Sequence, residues 1–185
     1  MLRDDKKYGM ITCCKPFPAR TASVSMDTQT AQAILQATVE EVGRHLDADR
    51  CFLYVRQPSQ QHGRIAFQWR RNEDIPDVIQ PDWQPDTDEL PQEDPLFRAA
   101  LTLQPSVYVP DVETAGPDVL NRDFEHKTFG HRALIHAHVQ AEGQLWGILQ
   151  PCLFGQPRQW TADDRAYVEK QLPGLLAPIR AFVGE

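Results

Sequence analysis

The chain has 185 residues, 41% of them hydrophobic and 24% charged, with a net charge of -7. This is the size of one soluble globular domain, long enough to bury a core without staples, and its acidity excludes non-specific nucleic-acid binding, which needs a positive face to displace counterions. No apolar run reaches the ~18 residues of a membrane span, the charged N-terminus lacks the apolar stretch of a signal peptide, and four cysteines make no disulfide framework, so free thiols in a reducing cytoplasm are expected.

Residues 1–25 mix charge, Pro and Ser without a period. They read as a flexible tail, or as the product of an upstream start with Met26 as the natural one; the basic pair Lys6–Lys7 and the thiol pair Cys13–Cys14 fall here. A single domain is expected over 26–185. Asp27 is a good N-cap for a helix over 27–46, whose stripe is Leu35, Val39, Val42 and Leu46. Arg50–Gln57 and Arg64–Arg70 read as two strands of a hairpin, the second alternating Ile65, Phe67 and Trp69 against polar neighbours. Residues 71–95 carry five prolines among acidic residues, and few of them suit a ladder or a helix interior. They read as a solvated acidic loop, with Trp83 either folded back on the body or meeting a partner. A helix is predicted from Leu96 to Leu103 and a short strand over Ser106–Val109. Asp111 to Phe124 reads as loop and one helix, with Val119 and Leu120 as its apolar side. A second hairpin occupies 130–155. Thr161 and Asp164 are placed to cap a last helix, which Pro173 and Pro178 are expected to kink or divide.

The order of helix, two strands, long loop, helix, strand, helix, two strands and helix predicts an α+β fold, an antiparallel sheet with helices on its faces. The cluster Leu145-Trp146-Gly147, Pro157-Arg158 and Trp160 resembles the end of the GAF domains of phytochromes and cyanobacteriochromes. Arg132-Ala133 is similar to the start of the preceding strand in that family, and residues 34–55 are similar to the first helix and strand of GAF domains generally. The resemblance spans roughly 27–184, with a poor match through 71–95. It implies a central sheet of about six antiparallel strands with helices on both faces and a small-molecule pocket at the front. In the photoreceptors that pocket holds a linear tetrapyrrole, anchored through a Cys followed by a His ahead of the Arg-Ala strand. Counted back from Arg132, those positions hold Asn121 and Arg122, and no thiol lies between Cys51 and Cys152. Covalent bilin attachment there is not expected, and no cofactor is assigned.

His136 and His138 lie two apart on a strand and so share a face. If Cys152, on the adjacent strand, shares that face too, the three form a pocket wall. The pattern reads either as two half-buried histidines bonded to neighbours or as a site that would pair with an anionic ligand or, with the thiolate, bind zinc or iron. The length of the turn at Glu142-Gly143 decides the face of Cys152. Arg122, His126, Lys127, His131 and Arg132 form the one clearly basic stretch in the body of an acidic chain. It reads either as a polar connection or as a receiver for an anionic ligand or an acidic partner. The pocket candidates are thus His136, His138, Cys152, Arg132, Arg122 and Asn121; the partner-contact candidates are Trp83, Arg122 and Lys127. The preferred function is a stand-alone regulatory module, not an enzyme. With no kinase, cyclase or DNA-binding element following Glu185, its output is expected through another protein. A homodimer is expected to form through 27–46 and 161–183. The alternatives are a small-ligand or metal sensor using His136, His138 and Cys152, and a thiol-based redox enzyme.

Overall fold

The computed structural model describes residues 26–185; Lys6–Lys7, Cys13–Cys14 and the reading of 1–25 as a tail lie outside them. Helix α1 (Thr28–His45) is capped by Asp27, which accepts from the Thr30 amide. It leads into strands β1 (Arg50–Gln57) and β2 (His62–Arg70). Then come β3 (Gln84–Pro85), the short helices α2 (Leu90–Glu93) and α3 (Pro95–Leu101), strand β4 (Val107–Val109) and α4 (Arg122–Thr128). Strands β5 (Ala133–Ala141) and β6 (Gln144–Leu153) form the second hairpin, and α5 (Ala162–Val183) ends the fold. The strands make one antiparallel sheet in the order β3-β2-β1-β6-β5-β4. Helices α1 and α5 cover its back and form the main core with Leu53, Val55, Ile135, Ala137 and Leu149. Helices α2, α3 and α4 lie over the front. The α+β layering and the six antiparallel strands expected from the sequence are those observed.

Two local expectations are corrected and a third is narrowed. The helix placed within 111–124 begins only at Arg122, because Asn121 accepts from the Phe124 amide and starts it there. Leu120 is buried but lies before the helix, in a segment of turns through Gly116 and Pro117. Helix α5 is not divided: it runs through Pro173 and Pro178 as one element. Each proline removes one N–H, but burial of Val168, Leu172, Leu175, Ile179 and Val183 along the same stripe holds the helix on the sheet.

The acidic segment 71–95 is mostly exposed, as expected, but it is not without structure. It supplies β3 and α2, and its backbone is tied to the sheet by side chains. Arg64 donates to the Pro81 carbonyl at 2.6 Å, Arg70 to that of Ile75 at 2.7 Å, and Gln80 accepts from the Ile65 amide at 2.8 Å. Asp86 pairs with the mostly buried Arg56 at 2.7 Å. Trp83 folds back, its ring beneath the Arg64 guanidinium and beside Phe182. Arg50, fully buried, sits over Phe52 and Phe154 and donates to the carbonyls of Pro76 and Phe129, which joins this segment to the end of α4.

Candidate functional site

The site is built on the front of the sheet by the β5–β6 hairpin. Its turn is the two-residue Glu142-Gly143, both with positive φ (54° and 73°), the geometry that suits the twist of a hairpin. A bulge follows. Ala141 faces Gln144 and Gln140 faces Leu145, but Val139 faces Gly147, so Trp146 is the extra residue. Trp146 and Gly147 both turn to the back, where Gly147 passes so close to the Tyr54 carbonyl and Ile179 that a Cβ would collide. Beyond the bulge Cys152 faces Leu134 and shares its apolar cluster. Cys152 is therefore on the front with His136 and His138.

Sharing a face does not make these three a cluster. His136 Nδ1 is 2.8 Å from His138 Nε2, and His138 Nδ1 is 2.8 Å from the Gln104 carbonyl, so the imidazoles bond in series rather than converge on a common point. Burial, and then the neighbouring His138 and His131, hold His136 well below the usual imidazole range. Burial also lowers His138. Cys152 is fully buried and neighbours His131. Among the described residues, no group of three His, Cys, Asp or Glu is arranged to hold a metal ion.

His131 makes a different pair. Its Nε2 is 2.7 Å from Glu125, both side chains are buried, and its ring stacks on Phe129. Burial alone would lower its pKa, but the Cys152 side chain and the Glu125 carboxylate outweigh burial and push it up to about 9. The Glu125 contact is the one seen in the geometry, at 2.7 Å, whereas His131 Nδ1 makes no hydrogen bond. Asp94 caps α3 through the Leu96 amide, and burial followed by the proximity of Glu125 raises its carboxyl to about 7.

Asp94 and Glu125 border a partly open cavity of about 150 Å³ between the sheet and the front helices. Phe52, Tyr54, Phe97, Phe124 and Phe129 give it aromatic walls; Asp94, Glu125, His136 and Gln150 give it polar ones. Across the sheet, Phe52 faces Gln150, and the register on either side places Gln150 opposite His136. Of the sequence-derived pocket residues, the cavity includes His136 alone. His138 lies beside it toward the sheet edge, and Cys152 is sealed among Leu96, Val112 and Leu134. Arg132 pairs outward with Asp111 at 2.6 and 3.0 Å. Asn121 and Arg122 border a separate, solvent-open cleft of about 540 Å³ with Gln92, Arg98 and Asp123. That cleft is larger, but the buried groups Asp94, Glu125 and His136 converge on the front cavity. The basic stretch 122–132 is largely neutralised: His126 pairs with Glu113, His131 with Glu125 and Arg132 with Asp111. Asp94, Glu125 and Gln150 were not legible as site residues, since nothing local marks a carboxylate or an amide that will be buried.

The motif Pro157-Arg158-x-Trp160 is structural here. Arg158 donates to the Leu46 carbonyl and bonds Asp164, and the Trp160 indole donates to the Val109 carbonyl at 3.0 Å. The motif thus clamps the end of α1 and strand β4 to the start of α5. This clamp and the six-stranded sheet fit a known pattern: a family model for the GAF domain matches residues 30–172. The chain belongs to the GAF domain family. Among solved structures, GAF3 from Slr1393 of Synechocystis sp. PCC6803, in its photoproduct state, is 24% identical at a TM-score of 0.59, over 83% of this chain and 94% of that one. The phycoerythrobilin-bound GAF domain from a cyanobacterial phytochrome is 17% identical at 0.64, over 85% and 88%. The GAF domain from Acinetobacter phosphoenolpyruvate-protein phosphotransferase is 12% identical at 0.61, over 84% of both chains. These likenesses are of fold. No curated protein matches the chain.

The front cavity of this GAF domain is small: pockets for drug-sized ligands hold ~300–1,000 Å³, whereas aromatic rings leave about 150 Å³ here. No helix among the described residues is long and apolar enough to cross a membrane.

Proposed function

We propose that this GAF domain is a non-photoactive regulatory module of the cytoplasm whose output is contact with another protein. The observation that carries the reading is the front cavity of about 150 Å³, closed down by Phe52, Phe97 and Phe129 where related pockets hold a pigment. Asn121 supports it: at the position that the resemblance gives to an anchoring thiol stands an amide that caps α4. A thiol-enzyme alternative needs an accessible thiolate, and Cys51 and Cys152 are both sealed in the core. The partner surface is the acidic segment 71–95 with the exposed face of α4, where Arg122 and Lys127 make no ion pair among the described residues. Trp83 contributes only its exposed edge. A homodimer through 27–46 and 161–183 would use their outer faces, because Leu35, Val39, Val42 and Leu46 are spent inside the chain.

The test has two arms. Protein produced in cells that make biliverdin and phycocyanobilin is expected to purify colourless and to show no zinc-induced fluorescence after denaturing electrophoresis. A covalent pigment would sink the non-photoactive reading. In parallel, crosslinking in the native host should trap a partner that the double variant Arg122→Glu, Lys127→Glu loses; an unchanged set of crosslinks would remove α4 from the partner surface.

A further inference from the structure

The front cavity holds hydrogen-bonding groups with nothing to bond. With both rings neutral, as their burial favours, the chain His136–His138–Gln104 has one consistent proton arrangement. The Gln104 carbonyl only accepts, so His138 Nδ1 carries the proton that reaches it at 2.8 Å. Neutral His138 then offers a lone pair at Nε2, and His136 Nδ1, 2.8 Å away, donates to it. His136 is buried and neutral, so its remaining nitrogen, Nε2, is an acceptor on a ring that lines the cavity. Beside it on the same face, Gln150 is 3% exposed, and its Nε2 donor has no partner. An unmet donor in such a place is uncommon and calls for a partner.

We propose that the cavity binds a neutral single-ring molecule of the phenol class, its hydroxyl donating to His136 Nε2 and accepting from Gln150 Nε2. The inference rests on the reading of this chain as a GAF module with a small front cavity, and deepens it. Size favours one ring: an apolar cavity of about 150 Å³ accommodates benzene. The walls are rings as well, Phe52 stacked on Phe129 and Phe97 edge-on to Tyr54, so an aromatic guest keeps the packing they prefer. Charge favours a neutral guest. Asp94 and Glu125 border the same space and oppose an anion, while the Glu125 charge is already matched by His131. A single hydroxyl is the smallest group that both donates and accepts, which is what the two protein groups require.

Phenol and benzene, each titrated into the full chain, test this by backbone amide shifts and thermal melting. Phenol is expected to bind saturably, raise Tm, move the amides around His136 and Gln150, and bind about tenfold tighter than benzene, one hydrogen-bonded contact's worth. Gln150→Leu, which removes a group that bonds nothing in the free protein, should fold normally and lose most of that preference. His136→Leu should lose it too; if that variant does not fold, Gln150→Leu decides alone. Absence of saturable phenol binding, equal affinity for phenol and benzene, or an unchanged preference in Gln150→Leu each overturns the proposal. Covalent pigment in bilin-producing cells would instead overturn the parent reading, so the two failures are distinguishable.

Discussion

His136 Nδ1 lies 2.8 Å from His138 Nε2, and both rings are buried on the front of the sheet. Burial holds both rings below the usual imidazole range, and in their neutral forms His136 Nδ1 donates to His138 Nε2. His136→Phe keeps the ring volume but leaves His138 Nε2 without a donor, and should cost about 1–3 kcal/mol in urea unfolding. His136 is held below its ordinary 6.5, so the unfolded chain takes up a proton that the native state refuses. Its contribution is present above pH 6.5 and is lost as the pH falls below it. The acid limb of stability should be shallower in His136→Phe.

His131 behaves with the opposite sign. Its pKa is raised from 6.5 to about 9 in the fold, so its contribution is complete below pH 6.5 and is lost as the pH rises through 9. His131→Leu should abolish that alkaline loss and leave the buried Glu125 uncompensated, at a cost of about 3–5 kcal/mol. Glu125→Gln in the same background should recover part of it. Urea titrations from pH 6 to pH 10 read both effects.

Asp94 holds a carboxyl raised to about 7 by burial and by Glu125, while its Oδ1 caps α3. The native state therefore binds a proton more tightly than the unfolded chain, and this group favours folding increasingly as the pH falls from 7 toward 3.8. Asn caps as well as Asp and carries no charge. Asp94→Asn should be more stable than the wild type at pH 8 by about 1 kcal/mol, or ~2–4 °C in Tm, with no gain at pH 4.5.

Gly147 has no room for a methyl group: a Cβ would stand 2.8 Å from the Tyr54 carbonyl. Gly147→Ala should cost about 1–3 kcal/mol by overpacking and should perturb amide shifts on β1 and β6 together, since relief requires the two strands to part.

Trp83 fastens the acidic segment by lying under Arg64 and against Phe182. In Trp83→Ala the segment around 76–85 should be cut faster in limited proteolysis, while the urea midpoint moves by less than about 1 kcal/mol, because the ring is only half-buried.

Much of the fold was legible because its signals are local. Asp27 and the Thr161–Asp164 capping box mark helix starts, the α1 stripe has helical period, and Ile65, Phe67 and Trp69 alternate as a half-buried strand does. Leu145-Trp146-Gly147 and Pro157-Arg158-x-Trp160 carried the family, and Trp146, Gly147, Arg158 and Trp160 make contacts the fold depends on. The site was legible only in part. The pairing of His136 and His138 on one face followed from strand periodicity, but their bond to each other, and the dependence of both on Gln104, did not. Glu125 meets His131 across the end of α4, where no periodicity connects them.

By itself, the sequence determined the order of the elements outside 71–95, the antiparallel layered class and the family. Only the tertiary structure decided the face of Cys152. The two-residue turn at Glu142-Gly143 alone would set Cys152 opposite Ala133, on the back; the bulge at Trp146 adds one residue and sets it opposite Leu134, on the front. Side chains alternate with a period of two, so one extra residue reverses every face beyond it, and that residue is specified by how Trp146 and Gly147 pack on Ile179 and the Tyr54 carbonyl, contacts that exist only once the sheet and α5 have met.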